Sequence, residues 1–355
     1  MANYTQRIKL LKTKLQRDGL DALLISKREN IIYLTGLDIE SSSIIITSGR
    51  KDIIITDARF AEEASEKKGH FEIALTNGSR YKIINRLLKK RRIKKLGFES
   101  NWLVYNNFLH LVKELRRITL VPKKYLVEDL RMVKDTDEIS LLKRSVSILN
   151  KAFSRAKKRI APGMTGADMA IYLDNLMRRF GAGGPAFETI VAQNPQSSRP
   201  HAKATAAPFR RGSAILMDMG ACYERYNSDL TRLLFLGRIP TKFKYVYNII
   251  KTAQKKAIEA IRPGTRISEL DKMARNYITR KGFGRYFLHS LGHGVGLEIH
   301  ESPSISRKNS ERLKPGMVFT VEPGIYIKGW GGLRIEDMVL VTEDGYEVLT
   351  DAIPK

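Results

Sequence analysis

One cysteine, Cys222, stands in 355 residues. That excludes an internal disulfide framework and points to a reducing compartment, with Cys222 itself read as a small apolar side chain beside Asp218. Long apolar runs are also missing. No stretch approaches the roughly 18 uninterrupted apolar residues that span a bilayer. The first 25 residues interleave charges with Ile8, Leu11 and Leu15 at helical spacing, so no signal peptide is expected either. A cytoplasmic protein with no membrane partner is the expectation. Acidic residues are scarce, 37 against 63 Lys and Arg, for a net charge of +26. Such an excess ordinarily suggests an anionic partner such as nucleic acid. Here it is spread along the chain and reverses only after residue 300, where 9 acidic residues face 7 basic ones. The single dense run, Arg86–Lys95 (RLLKKRRIKK), has no aromatic residue to stack a base and reads as a solvated helical face. Nucleic acid is therefore not the expected partner.

Apolar residues make up 43% and charged residues 28%, the composition of a globular chain, and the length suits two domains. The first segment alternates β-rich runs (22–25, 43–47, 53–56, 96–98) with helical patterns (58–67, 81–90), which implies an α/β sheet. His70 and His110 are isolated and read as ordinary surface or packing residues. A boundary falls near 121–135, with domains expected at 1–128 and 129–355. In the second, helices are expected over 137–159, 166–180, 243–261 and 267–280, and strands over 187–192, 214–219, 230–236, 318–323 and 332–341.

The chemistry sits in that second part. LMDMG (216–220) puts Asp218 on a strand ending at a glycine, and YNSDLTR (226–232) puts Asp229 on the next, close enough for a hairpin to bring the two together. FLHSLGHGVGLEIHE (287–301) carries His289, His293 and His300 among glycines 292, 294 and 296, which are expected to let the backbone approach a metal or substrate. TVEPGIY (320–326) sets Glu322 before a Pro-Gly turn, and GLRIED (332–337) supplies Glu336, which needs a cation if buried, with Arg334 and Asp337 as supporting residues. Asp218, Asp229, His293, Glu322 and Glu336 form a hard, oxygen-rich donor set that suits two divalent cations with bridging carboxylates better than one tetrahedral zinc. They point to a two-metal hydrolase.

These segments resemble the ligand motifs of the pita-bread metallopeptidases, with Asp, Asp, His, Glu, Glu in the family's order. YLTG (33–36), IITDARFAEEA (54–64), FETIVA (187–192) and Pro200-His201 are similar to the proline-specific branch, which carries a creatinase-like N-terminal α/β domain before an α+β pita-bread catalytic domain. The resemblance implies two divalent ions, with manganese expected and cobalt or zinc as alternatives, and a hydroxide shared between them as nucleophile. It implies Asp218 on one ion, Asp229 and Glu336 bridging, and His293 with Glu322 on the other. Glu322 would also accept the proton of the attacking water. His201 and His300 would contact the scissile carbonyl, His289 would line the substrate side, and Thr231 would support Asp229. QNPQSSR (193–199) departs from the family's Ser-Gly-rich turn and places Arg199 near the expected substrate entrance, where it could hold a peptide carboxylate.

An Xaa-Pro bond is a tertiary amide with no N–H, so general peptidases that need that hydrogen bond fail on it. Cleavage of Xaa-Pro at peptide N-termini, by an aminopeptidase, is the first reading. An Xaa-Pro dipeptidase (prolidase) is the alternative. A catalytically inactive module that binds nucleic acid or protein is disfavoured, because all five ligands are kept. Proline-containing peptides and a second copy of the chain, as a homodimer, are the partners the resemblance implies.

Overall fold

Runs of Ile and Leu, too apolar to face water on either side, make the first sheet. The computed structural model describes residues 3–67 and 69–355, and their contacts fall into two units that divide between Arg131 and Met132. In the first unit, β1 (Ala22–Ile25), β2 (Ser43–Thr47), β3 (Asp52–Asp57), β4 (Phe71–Thr76), β5 (Lys95–Glu99) and β6 (Thr119–Lys123) form one mixed sheet in the order β4-β3-β2-β1-β5-β6. β1–β2 and β2–β3 pair antiparallel, the others parallel. Ile44, Ile45, Ile46, Ile53, Ile54 and Ile55 are all fully buried, as central strands covered on both faces require. The helices are α1 (Tyr4–Arg17), α2 (Arg28–Thr35), α3 (Ala61–Ser65), α4 (Arg80–Lys90), α5 (Tyr105–Glu114) and α6 (Glu128–Arg131). Ile84, Leu87 and Leu88 of α4 pack on Leu24, Ile45 and Ile55.

The helical pattern expected over 58–67 is a short turn at Ala58–Phe60 followed by α3. The basic run is mostly solvated at the end of α4, but Arg91 folds inward to Glu72 and the Lys51 carbonyl. His110 stacks on Tyr81. The division between units falls after α6, whereas the boundary expected at 128/129 lies within it. Glu128 and Arg131 are buried in the first unit, where Glu128 accepts from Lys27 and Asn30 and Arg131 donates to the Asn30 side chain.

The second unit opens with α7 (Thr136–Arg159), started by a capping box in which Asp135 and Glu138 satisfy each other's backbone N–H. α8 (Gly166–Arg179) follows, capped by Thr165. Next come β7 (Gly184–Pro185), β8 (Ile190–Gln193), β9 (Ala214–Met219), β10 (Ala221–Tyr223), β11 (Tyr226–Asn227) and β12 (Leu230–Phe235), then α9 (Thr241–Glu259) and α10 (Ile267–Arg280). The chain closes with β13 (Gly292–Gly294), β14 (Glu301–Ile305), β15 (Val318–Val321), β16 (Gly324–Ile327), β17 (Gly331–Arg334), β18 (Asp337–Val341) and β19 (Tyr346–Val348). β12-β9-β8 form one sheet and β14-β13-β15-β18-β19 another, with β16-β17 as a separate ribbon. Alternate residues of β9 face opposite ways. Ala214 and Leu216 join the core under α9 and α10, while Ile215, Met217 and Met219 join the core under α7 and α8. Each large apolar side chain buried there, such as Phe153 or Phe319, contributes roughly 1.5–3 kcal/mol.

Two strands differ from their expected spans in a way that matters. The run 187–192 forms a strand only from Ile190, leaving Phe187–Thr189 on a cavity wall. The run 332–341 is two strands in two sheets, broken at Ile335 and Glu336.

Candidate active site

β9 and β12 pair with Asp218 opposite Thr231 and Met219 opposite Leu230. The short β10–β11 hairpin between them turns the chain back, so Asp229, one residue before β12, returns to the end of β9 beside Asp218. The third contributor is β13, where His293 lies between two glycines. Those glycines face neighbouring backbone. A Cβ on Gly292 would lie 1.9 Å from the Thr320 carbonyl oxygen, and one on Gly294 2.2 Å from that of Ser302. Their small size brings β13 against its flanking strands, and Gly292 also lines the cavity walled by Phe187–Thr189.

β15 ends at Val321, and Pro323 prevents its continuation, leaving Glu322 at the strand's edge. Glu336 occupies the break between β17 and β18. The ligand atoms of Asp229, His293 and Glu336 lie within 4.8 Å of one another. His293 Nε2 is 3.6 Å from Asp229 Oδ2 and 3.3 Å from Glu322 Oε1. The ring's Nδ1 faces the Gly294 carbonyl at 3.1 Å; because a carbonyl only accepts, Nδ1 carries the proton and Nε2 presents its lone pair to the carboxylates.

Burial dominates the electrostatics. Asp229 and Glu336 are buried and pushed well above the usual carboxylate range, first by burial and then by the other carboxylates around them. Glu322 rises to about 7 for the same first reason, against the pull of Arg334. Burial lowers His293 to about 4, with His300 adding to the effect. Four carboxylates gathered beside a neutral imidazole demand positive charge. The donor set, hard oxygens with one nitrogen, fits divalent cations of the manganese, cobalt or zinc kind.

Arg334 organises the back of the site. Burial alone would lower its guanidinium, but Tyr326, Asp218, Glu322 and Glu336 hold it charged, well above its ordinary value. It donates from Nη2 to Asp218, from Nε to Thr231 Oγ1 at 2.9 Å, and from Nη1 to the Tyr326 hydroxyl at 2.6 Å. Thr231 in turn donates to Glu336 Oε2 at 2.8 Å. Thr231 therefore supports Glu336 and not Asp229 as expected, because its position on β12 faces the break where Glu336 sits. Tyr326 was missed in the sequence. A buried hydroxyl needs a partner, and no spacing in TVEPGIY reveals that the partners are Arg334 and His289. His289 Nδ1 donates to the Ser290 carbonyl at 2.8 Å, so Nε2 accepts from Tyr326 at 3.1 Å. Burial and Arg334 lower His289 to about 4, and burial first pushes Tyr326 up to about 12.

A cavity of about 700 Å³ opens on these groups, lined by Asp218, Asp229, His201, His289, His293, His300, Glu322, Arg334 and Glu336, with Leu288, Ile299 and Lys203 among the wall residues. His300 packs edge-on against His293, their ring centres 4.3 Å apart, and desolvation lowers it from its ordinary value. Two expected residues do not themselves line the cavity. Arg199 is exposed and outside the lining, although its neighbour Pro200 is part of it; Lys203 is an exposed cation of the wall. Asp337 points into the interior, where it bonds Arg232 at 2.7 Å and pairs with Lys355. Cys222 is half-buried on β10.

A cluster of buried carboxylates with an imidazole in a cavity is the centre of a metal-dependent hydrolase. The pattern of Metallopeptidase family M24 matches residues 140–343, and that of the Creatinase/Prolidase N-terminal domain matches residues 7–133. The Xaa-Pro dipeptidase of Pyrococcus furiosus is 37% identical over 349 residues, 97% of both chains. Among solved structures, the Xaa-Pro dipeptidase from Bacillus anthracis superposes with a TM-score of 0.95 at 36% identity over 98% of both chains. The X-Pro aminopeptidase from Thermotoga maritima superposes with a TM-score of 0.87, also at 36% identity, over 95% of this chain and 97% of that one. The chain belongs to metallopeptidase family M24, with a creatinase-like N-terminal α/β domain before an α+β pita-bread catalytic domain.

Proposed function

We propose that the protein is an Xaa-Pro dipeptidase that uses two divalent cations, manganese first among them, in the cytoplasm and as a homodimer. The observation that carries this reading is its end-to-end similarity to Xaa-Pro dipeptidases, joined to an intact carboxylate and histidine cluster in one cavity. Aminopeptidase activity, the first reading of the sequence, becomes the second; it keeps the support of the X-Pro aminopeptidase likeness.

Asp218, Asp229, His293, Glu322 and Glu336 would hold the cations. Bound there, the cations supply water activation at neutral pH and polarise the scissile carbonyl. Glu322 takes a proton from the attacking water and returns it to the departing prolyl nitrogen. His201 and His300 bring N–H groups to the carbonyl oxygen as it gains charge. His289, held neutral and oriented by Tyr326, forms the wall on the substrate side.

Metal-stripped protein reloaded with manganese, cobalt or zinc should turn over Xaa-Pro dipeptides, and Xaa-Pro-Yaa tripeptides at least ~100-fold more slowly, a gap of about 2.7 kcal/mol in transition-state binding. Equal turnover of both lengths returns the protein to the aminopeptidases, and turnover of neither sinks the peptidase reading.

A further inference from the structure

Behind the cavity lies a second polar cluster that touches no proposed metal ligand side chain. Gln254 of α9 is fully buried. Its Nε2 donates to the carbonyl of Val321 at 2.9 Å and to that of Ile335 at 3.3 Å, the residues that immediately precede Glu322 and Glu336. Its Oε1 accepts from Lys355 Nζ at 2.8 Å. Only this orientation satisfies all three partners, since two carbonyls need the amide nitrogen and an ammonium needs the amide oxygen. Lys355 also pairs with Asp337 Oδ2, and Asp337 Oδ1 accepts from Arg232 at 2.7 Å and Thr350 at 2.8 Å. Arg232, 1% exposed, donates further to the carbonyls of Glu336, Thr231 and Ile353.

We infer that Gln254, Arg232, Asp337 and Lys355 form a clamp that fixes the separation and orientation of Glu322 and Glu336, making the 350–355 segment part of the metal site although it supplies no ligand. Both glutamates sit where a strand ends or breaks, and a single backbone bond anchors each N–H, from Glu322 to the Leu291 carbonyl at 2.8 Å and from Glu336 to the Thr231 carbonyl at 3.2 Å. The Gln254 amide ties the two strand ends to each other. Arg232 ties the Glu336 carbonyl to β12, whose Thr231 already holds the Glu336 carboxylate. Asp337 and Lys355 orient the two donors. These are positioning residues, and the inference rests on reading the cavity as a divalent-metal centre.

The test is manganese titration of stripped protein by calorimetry, for the wild type and for Gln254→Met, Arg232→Lys and Thr350→Val. Leu173→Ala on α8, fully buried in the core under α7 and α8, serves as a control for lost stability alone. Lys cannot reproduce the planar fork of Arg232. Thr350→Val removes one hydroxyl at nearly constant volume and keeps the test available if the larger changes prevent folding. Manganese affinity should fall roughly 10–100-fold in Gln254→Met and Arg232→Lys and less in Thr350→Val. Leu173→Ala should lose melting temperature but keep its affinity, and excess manganese should restore kcat in the clamp variants. Affinities within twofold of wild type, or an equal loss in Leu173→Ala, overturn the clamp while leaving the peptidase reading intact. Wild-type protein that binds none of manganese, cobalt or zinc overturns both.

Discussion

The buried carboxylate cluster should cost metal-free protein stability as the pH rises. Glu322 titrates near 7 in the folded chain against an ordinary value of 4.5. Between those values the folded state keeps a proton that the unfolded state has released, so the Glu322 contribution declines across this window and its full cost is present above 7, opposed between about 4 and 6.5 by His289 and His293, whose lowered values add stability as the pH rises. That cost is roughly 3 kcal/mol for Glu322, and Asp229 and Glu336, also raised, extend the decline to higher pH. For a unit of this size the Glu322 share corresponds to a drop of about 6–12 °C in Tm. Bound divalent cations supply the missing positive charge, so manganese should raise Tm more at pH 8 than at pH 5. The assay is a thermal melt in chelator and in manganese at half-unit pH steps, for the wild type and for Glu322→Gln, whose amide cannot ionise. The histidine contributions are common to both proteins, so the difference between them isolates Glu322: from pH 5 to 7 the variant's Tm in chelator should fall less, or rise more, than the wild type's. An identical pH dependence in Glu322→Gln would refute the claim that burial holds a proton on Glu322.

Three further outcomes are expected. Tyr326→Phe leaves an Arg334 N–H and the His289 Nε2 without their partner, which should cost about 1–3 kcal/mol in urea melts and lower kcat/KM roughly tenfold; wild-type kinetics would dismiss its role. Gly292→Ala forces a methyl group onto the Thr320 carbonyl and should displace β13, abolishing manganese binding and activity together, as calorimetry and dipeptide assays can show. Asp135→Ala removes the α7 cap and should destabilise by about 1 kcal/mol with kcat/KM unchanged, which separates a structural carboxylate from those of the cavity.

Much of the site was legible because its chemistry is local. Asp218, Asp229, His293, Glu322 and Glu336 each sit beside a glycine, proline or strand end that marks them in the sequence, and the structure brings all five to one cavity. What could not be read were the contacts between segments. Arg334 was visible as a charged residue beside Glu336, but its bonds to Asp218, Thr231 and Tyr326 span 116, 103 and 8 residues. Arg199 and Asp337 do not line the cavity, and Asp337 reaches Glu336 only through Arg232, a contact across 105 residues that no local spacing shows. The glycines around His293 stood out in the sequence, but which backbone they pack against depends on strand neighbours far along the chain.

The sequence by itself determined the two-part organisation, most of the helices and strands, and the donor set with its demand for divalent cations, since periodicity, capping and residue chemistry act over a few positions. Only the tertiary structure decided how that donor set is held. The break at Ile335 and Glu336, the chain Arg334–Tyr326–His289, and the clamp through Gln254 and Arg232 depend on which strands pair and which helix covers them. Those choices are made by the burial of whole faces, and no short stretch of sequence records them.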